Sequence, residues 1–354
     1  MVYTVSESSY RNGGKRLNAK GSPNIYDIAE TAGVSIATVS RVLSGGRNVS
    51  AQTEEKVLSV MKALHYTPNA FARGLCLGSM GMVGVLCTDV SDLYYARAVS
   101  TLERLLRQKG LEALLCCTGG KLEDKKKGLS LLLHKHVDAA ILIGSAFKER
   151  EDNSHIETAA RSVPVIVING LIECENTYCV LCDEEAAMFE AVSALCRHRC
   201  RKVLYLYDQL TFSGTQKLAG YRRALQEQGV EVREELILQV DKSLPEIHDR
   251  VRQLLSSGIE IDGVAASEDL LAIGAMQQLH RHGLYPPVIG FNNSAFAEII
   301  SPALSSVDNM VETLCSTAFS ILCDVLEGRS APRKVLLSGQ LIERETFRES
   351  SPTL

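Results

Sequence analysis

From about residue 82 onward, short apolar runs alternate with stretches of helical pattern. Each run has a continuous apolar centre and is followed by roughly 10 to 20 residues of helical character, such as "YARAVSTLERLLRQKG". Strands of this kind are buried on both faces, as in parallel sheets that helices cover on both sides. The repeated units exceed one sheet of usual size, so they predict two α/β lobes. The runs are "MVGVLCT", "LEALLCC", "DAAILIG", "PVIVIN", "TYCVLCD", "KVLYLY" and "DGVAAS".

The first 80 residues have a different organisation. Residues 1–23 are polar and lack apolar periodicity, which predicts a disordered leader. Residues 24–67 contain three short helical patterns with no strand between them, and residues 68–80 contain a short helix-like segment, "PNAFARGLC". We therefore expect a small all-helical domain, a hinge helix with its linker, a two-lobed core over residues 81–347 and a tail over 348–354.

Charge is distributed unevenly along the chain. Residues 1–76 contain nine Lys and Arg against five Asp and Glu, whereas the complete chain of 354 residues has a net charge of −4. The basic N-terminal part therefore precedes an acidic body. This imbalance favours contact between the N-terminal domain and a polyanion, although it is too small to establish one alone.

Composition limits the compartment and the chemistry. No apolar run approaches the roughly 20 residues that span a bilayer, and the N-terminus lacks the apolar centre of a signal peptide. The eleven cysteines are then expected to be reduced thiols of a soluble cytoplasmic protein. Cys174, Cys179 and Cys182 have the spacing of iron–sulfur ligands, but a strand would point the last two to opposite faces. We expect no catalytic residue, metal or cofactor.

The stretch "AGVSIATVSRVLSGG" predicts a helix with two distinct faces. With Ser35 as the N-cap, Val39, Val42 and Leu43 fall on one side and are expected to be buried. The opposite side carries small residues, Ile36 and one arginine, Arg41. Together with the preceding short helix and the turn "TAGV", this forms a helix-turn-helix pattern.

A helix with small exposed residues suits the major groove of DNA, because the backbone can approach the base edges closely. Arg41 can donate two hydrogen bonds to a guanine, and Ile36 can contact a thymine methyl group. The alternative is an ordinary surface helix in an all-helical cap. The residues alone favour the DNA-binding interpretation.

Residues 24–75 closely resemble the headpiece of LacI/GalR-type transcriptional regulators, the lac repressor family. The similarity lies in "AGVS.ATVSRVL", "VS..T..KV" and "Y.PN..AR.L", and it continues in "GYRRAL", "AIGAM..L...GL", "VIGFNNS" and "LSSV". The resemblance implies a fold of the α/β class, with a three-helix helix-turn-helix headpiece and a two-lobed core of parallel sheets like that of periplasmic binding proteins. It also implies a homodimer and an effector held between the lobes.

The resemblance assigns DNA contacts to individual positions. The base-contacting pair falls on Ile36 and Ala37, where some members have polar residues. The resemblance therefore does not specify which bases the operator contains. In the hinge, Leu75 is expected to wedge between base steps in the minor groove. The remaining expected DNA contacts are Thr38, Ser40, Arg41, Asn48, Ser50, Asn69 and Arg73.

Effector residues are expected at the carboxyl ends of the strands, where parallel α/β sheets bind ligands. Strand ends and the resemblance together select Asp89, Tyr94, Tyr95, Asn169, Lys217, Glu268, Asp269, Asn292 and Asn309. Relatives usually have arginine at Lys217 and often aspartate at Asn292, and many have arginine at Gly170. The expected ligand is a sugar or a sugar derivative.

These observations predict a sequence-specific, DNA-binding transcriptional regulator controlled by a sugar-like effector. We expect a repressor, although the sequence leaves repression and activation open. The partners are double-stranded operator DNA, the effector and a second copy of the chain, with no membrane. The alternative is a cytoplasmic sugar-binding protein or sugar-modifying enzyme on the same α/β core. Neither a sugar-binding protein nor an enzyme would need the helix-turn-helix headpiece. Binding of duplex DNA by the intact chain, and its loss when residues 1–76 are removed, would distinguish the regulator from these alternatives.

Overall fold

The computed structural model describes residues 23–43, 49–66 and 79–348. Contacts divide the chain into an N-terminal unit, Met1–Met80, and an α/β unit, Gly81–Leu354. The leader up to residue 22 and the tail from residue 349 lie outside the described residues. So do the predicted DNA contacts Asn48, Asn69, Arg73 and Leu75.

The N-terminal unit contains three helices, α1 (Ile25–Ala32), α2 (Ile36–Leu43) and α3 (Ala51–Ala63). Helix α1 begins with a capping box, in which Asn24 and Asp27 each accept a backbone N–H of the other. It ends at Gly33, whose left-handed backbone (φ +62°) turns the chain tightly into α2. Apolar residues from all three helices form one core: Ile28, Ala29, Ala32, Val39, Val42, Val57 and Met61.

The first lobe of the α/β unit is a six-stranded, all-parallel sheet in the order β2–β1–β3–β4–β5–β11. Its strands are β1 (Met82–Cys87), β2 (Glu112–Cys117), β3 (Ala139–Ile143), β4 (Val165–Ile168), β5 (Thr177–Asp183) and β11 (Lys334–Ser338). Two helices contribute to the apolar core on each face of this sheet. These are α4 (Leu93–Gln108) and α12 (Val311–Leu326) on one face, and α5 (Leu122–His134) and α6 (Ser154–Ala160) on the other.

The second lobe has a six-stranded sheet in the order β7–β6–β8–β9–β10–β12. Its strands are β6 (Val203–Tyr207), β7 (Ile237–Gln239), β8 (Gly263–Ala266), β9 (Val288–Phe291), β10 (Ser305–Asp308) and β12 (Gln340–Ile342). Helices pack on both faces, and the short helix α11 follows β9. The helices are α7 (Glu184–Arg197), α8 (Phe212–Glu227), α9 (Leu244–Ser256), α10 (Asp269–Arg281) and α11 (Ala295–Ile299).

The two lobes are interleaved along the sequence. Among residues 79–348, the chain passes between the sheets from β5 to α7, from β10 to α12, and from β11 to β12. The first lobe therefore receives its last helix and strand from sequence that follows strands β6 to β10 of the second lobe. Each lobe therefore combines segments that are separated in the sequence, and the lobes do not correspond to two successive halves of the chain.

The structure confirms the two α/β lobes and corrects two details of the sequence prediction. Strand β2, "EALLCC", is not buried on both faces, because it lies at the sheet edge and pairs only with β1. Strand β12 runs antiparallel to β10, so the second sheet is mixed and not purely parallel. Within the described ranges, no helix is both long and apolar enough to cross a membrane.

Candidate functional site

Helix α2 has an apolar face toward the headpiece core and a small-residue face outward. Val39 and Val42 are buried, and Leu43 packs against the same core. Ile36, Ala37 and Arg41 are exposed, while Thr38 and Ser40 are half-buried. One exposed face thus combines a branched apolar side chain, a methyl group and a guanidinium, which can read base edges.

Side-chain caps fix the orientation of the helices that surround this face. Ser35 Oγ accepts the Thr38 backbone N–H at 3.1 Å, as the sequence predicts. Ser50 Oγ accepts the Thr53 N–H at 3.2 Å at the start of α3, so its hydroxyl has a structural role. Tyr26, in the first turn of α1, is an exposed aromatic residue that the sequence reasoning did not select.

A cavity of about 650 Å³ lies between the two lobes of the α/β unit. Each of the strands β1 to β10 contributes a residue that follows its carboxyl end by one or two positions. The lining is mostly polar, with asparagines, carboxylates, hydroxyls and glycine backbone from both sheets. Such a lining can bind a small ligand with many hydroxyl groups.

Asn169 connects the cavity wall to the sheet of the first lobe. Its backbone is left-handed (φ +57°), and its Oδ1 accepts the Cys182 N–H at 2.8 Å. Its Nδ2 donates to the Tyr94 hydroxyl at 3.1 Å, and burial raises the pKa of that hydroxyl well above its usual value. Asn169 therefore positions Tyr94, which stays protonated.

Asn292 and Asn309 form a second amide pair in the cavity wall. Asn292 also has a positive φ, of 90°, a conformation that asparagine tolerates better than most residues. Asn309 Nδ2 donates to Asn292 Oδ1 at 2.9 Å, and this bond leaves Asn292 Nδ2 and Asn309 Oδ1 unused. The pair presents one donor group and one acceptor to the cavity side.

Lys217 belongs to a buried ion pair in the second lobe. Its Nζ lies 3.5 Å from Glu184 Oε1, donates to the Ser267 carbonyl at 3.1 Å and sits 4.0 Å from the centre of the Phe291 ring. Lys217 is 5% exposed. Its charge is thus matched inside the protein.

Lys242 lies among three carboxylates where the lobes meet. Its Nζ is 2.6 Å from Glu268, 2.9 Å from Asp92 and 3.5 Å from Asp208. Burial raises the pKa of Glu268 to about 7, and the charges of Asp208 and Asp92 add to this effect while Lys242 opposes it. Burial also disfavours the charged form of Lys242, but the three carboxylates outweigh it and raise the Lys242 pKa.

Comparison with known proteins connects both parts of the chain to one family. The model "Bacterial regulatory proteins, lacI family" matches residues 24–69, and a periplasmic binding protein-like domain matches residues 192–347. An HTH-type transcriptional regulator of Lachnoclostridium phytofermentans is 44% identical over 329 residues, which cover 91% of this chain and 99% of that protein. The chain belongs to the lacI family. It is a transcriptional regulator, as its relatives are, and not an enzyme.

Solved structures of lacI-family proteins share the fold over most of the chain. The transcriptional regulator CelR in complex with cellobiose is 25% identical, with a TM-score of 0.67, and covers 92% of this chain and 100% of that one. The lac repressor dimer bound to operator and the anti-inducer ONPF has a TM-score of 0.81 at 23% identity, covering 92% and 99%. The predicted headpiece and two-lobed core are therefore confirmed as a fold.

For this lacI-family chain, the structure brings eight of the nine predicted effector residues to one cavity. Asp269 is the exception, because it does not line the cavity. It is 2% exposed, and its carboxylate accepts the Ser306 hydroxyl at 2.5 Å and the Ser294 N–H at 2.6 Å. Asp269 begins helix α10, so its side chain turns into the second lobe although its neighbour Glu268 lines the cavity.

Several cavity residues were missed by the sequence reasoning. Lys242 follows β7, a strand of three residues that gives little apolar signal. Asp208 directly follows the run "KVLYLY", so the rule of strand ends could have selected it. The other missed polar residues of the wall include Asp92, Ser145, Glu184, Thr211 and Ser267.

Proposed function

We propose that this regulator represses transcription by inserting α2 into the major groove of an operator, as a homodimer in the cytoplasm. The observation that carries the proposal is the two-faced character of α2. Its buried valines leave Ile36, Ala37 and Arg41 exposed together on a helix that the Ser35 cap begins and the headpiece core holds in place. A helix presented in this way can approach base edges without loss of its core packing.

The roles of the single residues follow from their chemistry. Arg41 donates to a guanine, and Ile36 with Ala37 contacts thymine methyl groups. Thr38 and Ser40, both half-buried, are within the reach of bases or phosphates through their hydroxyls. The exposed Tyr26 adds a hydroxyl that can contact a phosphate. Ser50 caps α3 and supports the contact indirectly.

The cavity between the lobes is the proposed effector site, and its ligand is a sugar or a close derivative. Its wall offers amide, hydroxyl and carboxylate groups from both lobes, so one bound molecule would contact both at once. A cellobiose complex of the related regulator CelR is consistent with a sugar of this kind. A ligand that favours one arrangement of the lobes can control the dimer and thereby DNA binding.

The test begins with selection of the operator from random duplex DNA by the full-length protein. The selected duplex should bind with a stoichiometry of two chains, and removal of residues 1–76 should abolish binding. A panel of sugars is then added to the complex, and at least one should change operator affinity. Failure of the full-length protein to enrich any sequence would refute the proposal.

A further inference from the structure

The charges that line the cavity are strongly unbalanced. Among the described residues of its wall, the two cations are Lys217 and Lys242, against six carboxylates. The carboxylates are Asp89, Asp92, Glu184, Asp208, Asp241 and Glu268. A cleft lined by one sign of charge attracts ligands of the opposite sign and repels those of the same sign.

The positive charge of each lysine is already neutralised by carboxylates of the protein, so neither lysine favours an anionic ligand. Lys217 is matched by Glu184 and by the Ser267 carbonyl, both inside the protein. Lys242 is shared by three carboxylates, so this group of four side chains has up to two negative charges in excess. A phosphate near Lys242 would meet this excess negative charge as well as the lysine.

The excess charge lies where the lobes meet. Asp92 caps helix α4 of the first lobe, whereas Asp208, Lys242 and Glu268 follow strands of the second lobe. The raised pKa of Glu268 reflects the same environment, since burial and the nearby carboxylates both disfavour its ionised form. A ligand cation placed there would relieve repulsion that the protein alone does not fully neutralise.

Two buried acceptors in the same wall lack protein partners. Ser267 Oγ and Asn309 Oδ1 have no hydrogen bond, although their residues are only 3% and 1% exposed. Both residues line the cavity. An unsatisfied buried polar atom is costly, so both atoms are suited to bond a ligand. The Ser267 hydroxyl can donate or accept, whereas Asn309 Oδ1 can only accept. Hydroxyl and ammonium groups of a ligand can donate to Asn309 Oδ1, but ionised phosphate and carboxylate oxygens cannot.

We propose that the cavity selects its effector by charge, so that an amino sugar with a protonated amine binds better than the neutral sugar, and the neutral sugar better than the phosphorylated one. This inference rests on the proposed function, because it assumes that the cavity is the effector site. The inference narrows the expected class of effector from sugars in general to cationic sugars. It also excludes sugar phosphates as the physiological class.

The experiment compares matched series of ligands near pH 7 by thermal shift and calorimetry. Each series contains a parent sugar, its 2-amino-2-deoxy form and its 6-phosphate, with glucose, galactose and mannose as parents. Within a series that binds, we expect the amino form to be tighter than the parent, and the phosphate to be weaker by about tenfold or more. A phosphate or a neutral parent that binds as tightly as the amino form would overturn the proposal.

Charge variants show whether the carboxylates near Lys242 cause the preference. Glu268→Gln removes one of them and should reduce the difference between amino and phosphorylated ligands by about tenfold. Asp208→Asn removes another carboxylate of this group and should have the same effect. It replaces Glu268→Gln in the test if that variant does not fold. Asp249→Asn is the matched control, because Asp249 is an exposed residue of α9 that pairs with Arg252. It should leave the preference unchanged, and an equal effect of the control would overturn the proposal.

The failure of this inference differs from the failure of the proposed function. If no sugar of any series binds, the charge preference is rejected together with the sugar effector. Retained binding of the selected operator by the same protein preparation would still support the DNA-binding role. Loss of operator binding would instead refute the regulator mechanism itself.

Discussion

Replacement of Asp269 by alanine is expected to destabilise the second lobe and not to remove a ligand contact. Asp269 is the first residue of α10, and its carboxylate connects this helix to two other elements. The carboxylate accepts the Ser306 hydroxyl of β10 and the Ser294 N–H just before α11. Gly290 of β9 leaves room for it, because a Cβ there would lie 2.3 Å from Asp269 Oδ1. Alanine would leave both donors without this acceptor in a buried place.

The magnitude follows from the two hydrogen bonds. A bond to a charged group contributes about 1.5–3 kcal/mol, and the cost of burying the carboxylate offsets part of this gain. A loss of about 3 kcal/mol is therefore expected for Asp269→Ala. Since about 1 kcal/mol lowers the Tm by roughly 2–4 °C in a domain of 150–250 residues, the Tm should fall by about 6–12 °C.

The assay is thermal and urea unfolding of the protein without ligand, with two comparison variants. Asp269→Asn keeps one acceptor and gains an amide donor for Ser306, so it should lose much less stability. Asp89→Ala is the same substitution at an exposed cavity residue, whose carboxylate accepts the N–H and the hydroxyl of Ser91, and it should cost less than about 1 kcal/mol. A stable Asp269→Ala protein with no effector response would refute this reasoning and restore Asp269 as a ligand contact.

Three further predictions test other parts of the molecule. Arg41→Ala should weaken binding to the selected operator by about 1–3 kcal/mol in a fluorescence titration, and unchanged affinity would remove Arg41 from the base contacts. The pKa of Glu268 is raised from 4.5 to about 7 in the folded state, so between these pH values the folded protein binds a proton that the unfolded chain has lost. The free energy of unfolding should therefore decrease as the pH rises from about 4.5 to 7. Glu268→Gln should lack this loss, so a pH-independent difference from the natural protein would contradict the assignment. Lys217→Met should cost about 3–5 kcal/mol by leaving Glu184 unpaired, and adding Glu184→Gln should recover much of it in urea unfolding; no recovery would argue against the pair.

The fold was predictable for most of the strands that are buried on both faces. All seven apolar runs contain strands, as their short length and the helical stretches between them predict. Strand β10, "SSVD", was not among these runs although its serines are fully buried. Their hydroxyls are used internally: Ser305 donates to the Phe347 carbonyl and Ser306 to Asp269. A polar strand satisfied by tertiary hydrogen bonds has no apolar signature in the sequence.

The cavity was predictable only in part. The rule of strand ends locates residues near the cavity, because parallel sheets expose their carboxyl ends together. It does not give the direction of a side chain, which is why Glu268 and the adjacent Asp269 have opposite surroundings. It also does not pair charges that are distant in sequence. Lys242 and Asp92 are 150 positions apart, and only the meeting of the lobes brings them to 2.9 Å.

The contacts across the cleft also constrain how an effector could act. Lys242 pairs with Asp92, and Ser145 donates to Thr211 at 2.9 Å, each across the two lobes. A ligand that only replaced these bonds would gain little from closing the lobes, because it shifts an equilibrium only by its difference in affinity for the two states. It must therefore add bonds that the protein cannot make alone. The unpartnered oxygens of Ser267 and Asn309 and the excess negative charge near Lys242 provide such bonds, and a cationic, hydroxylated ligand can use both.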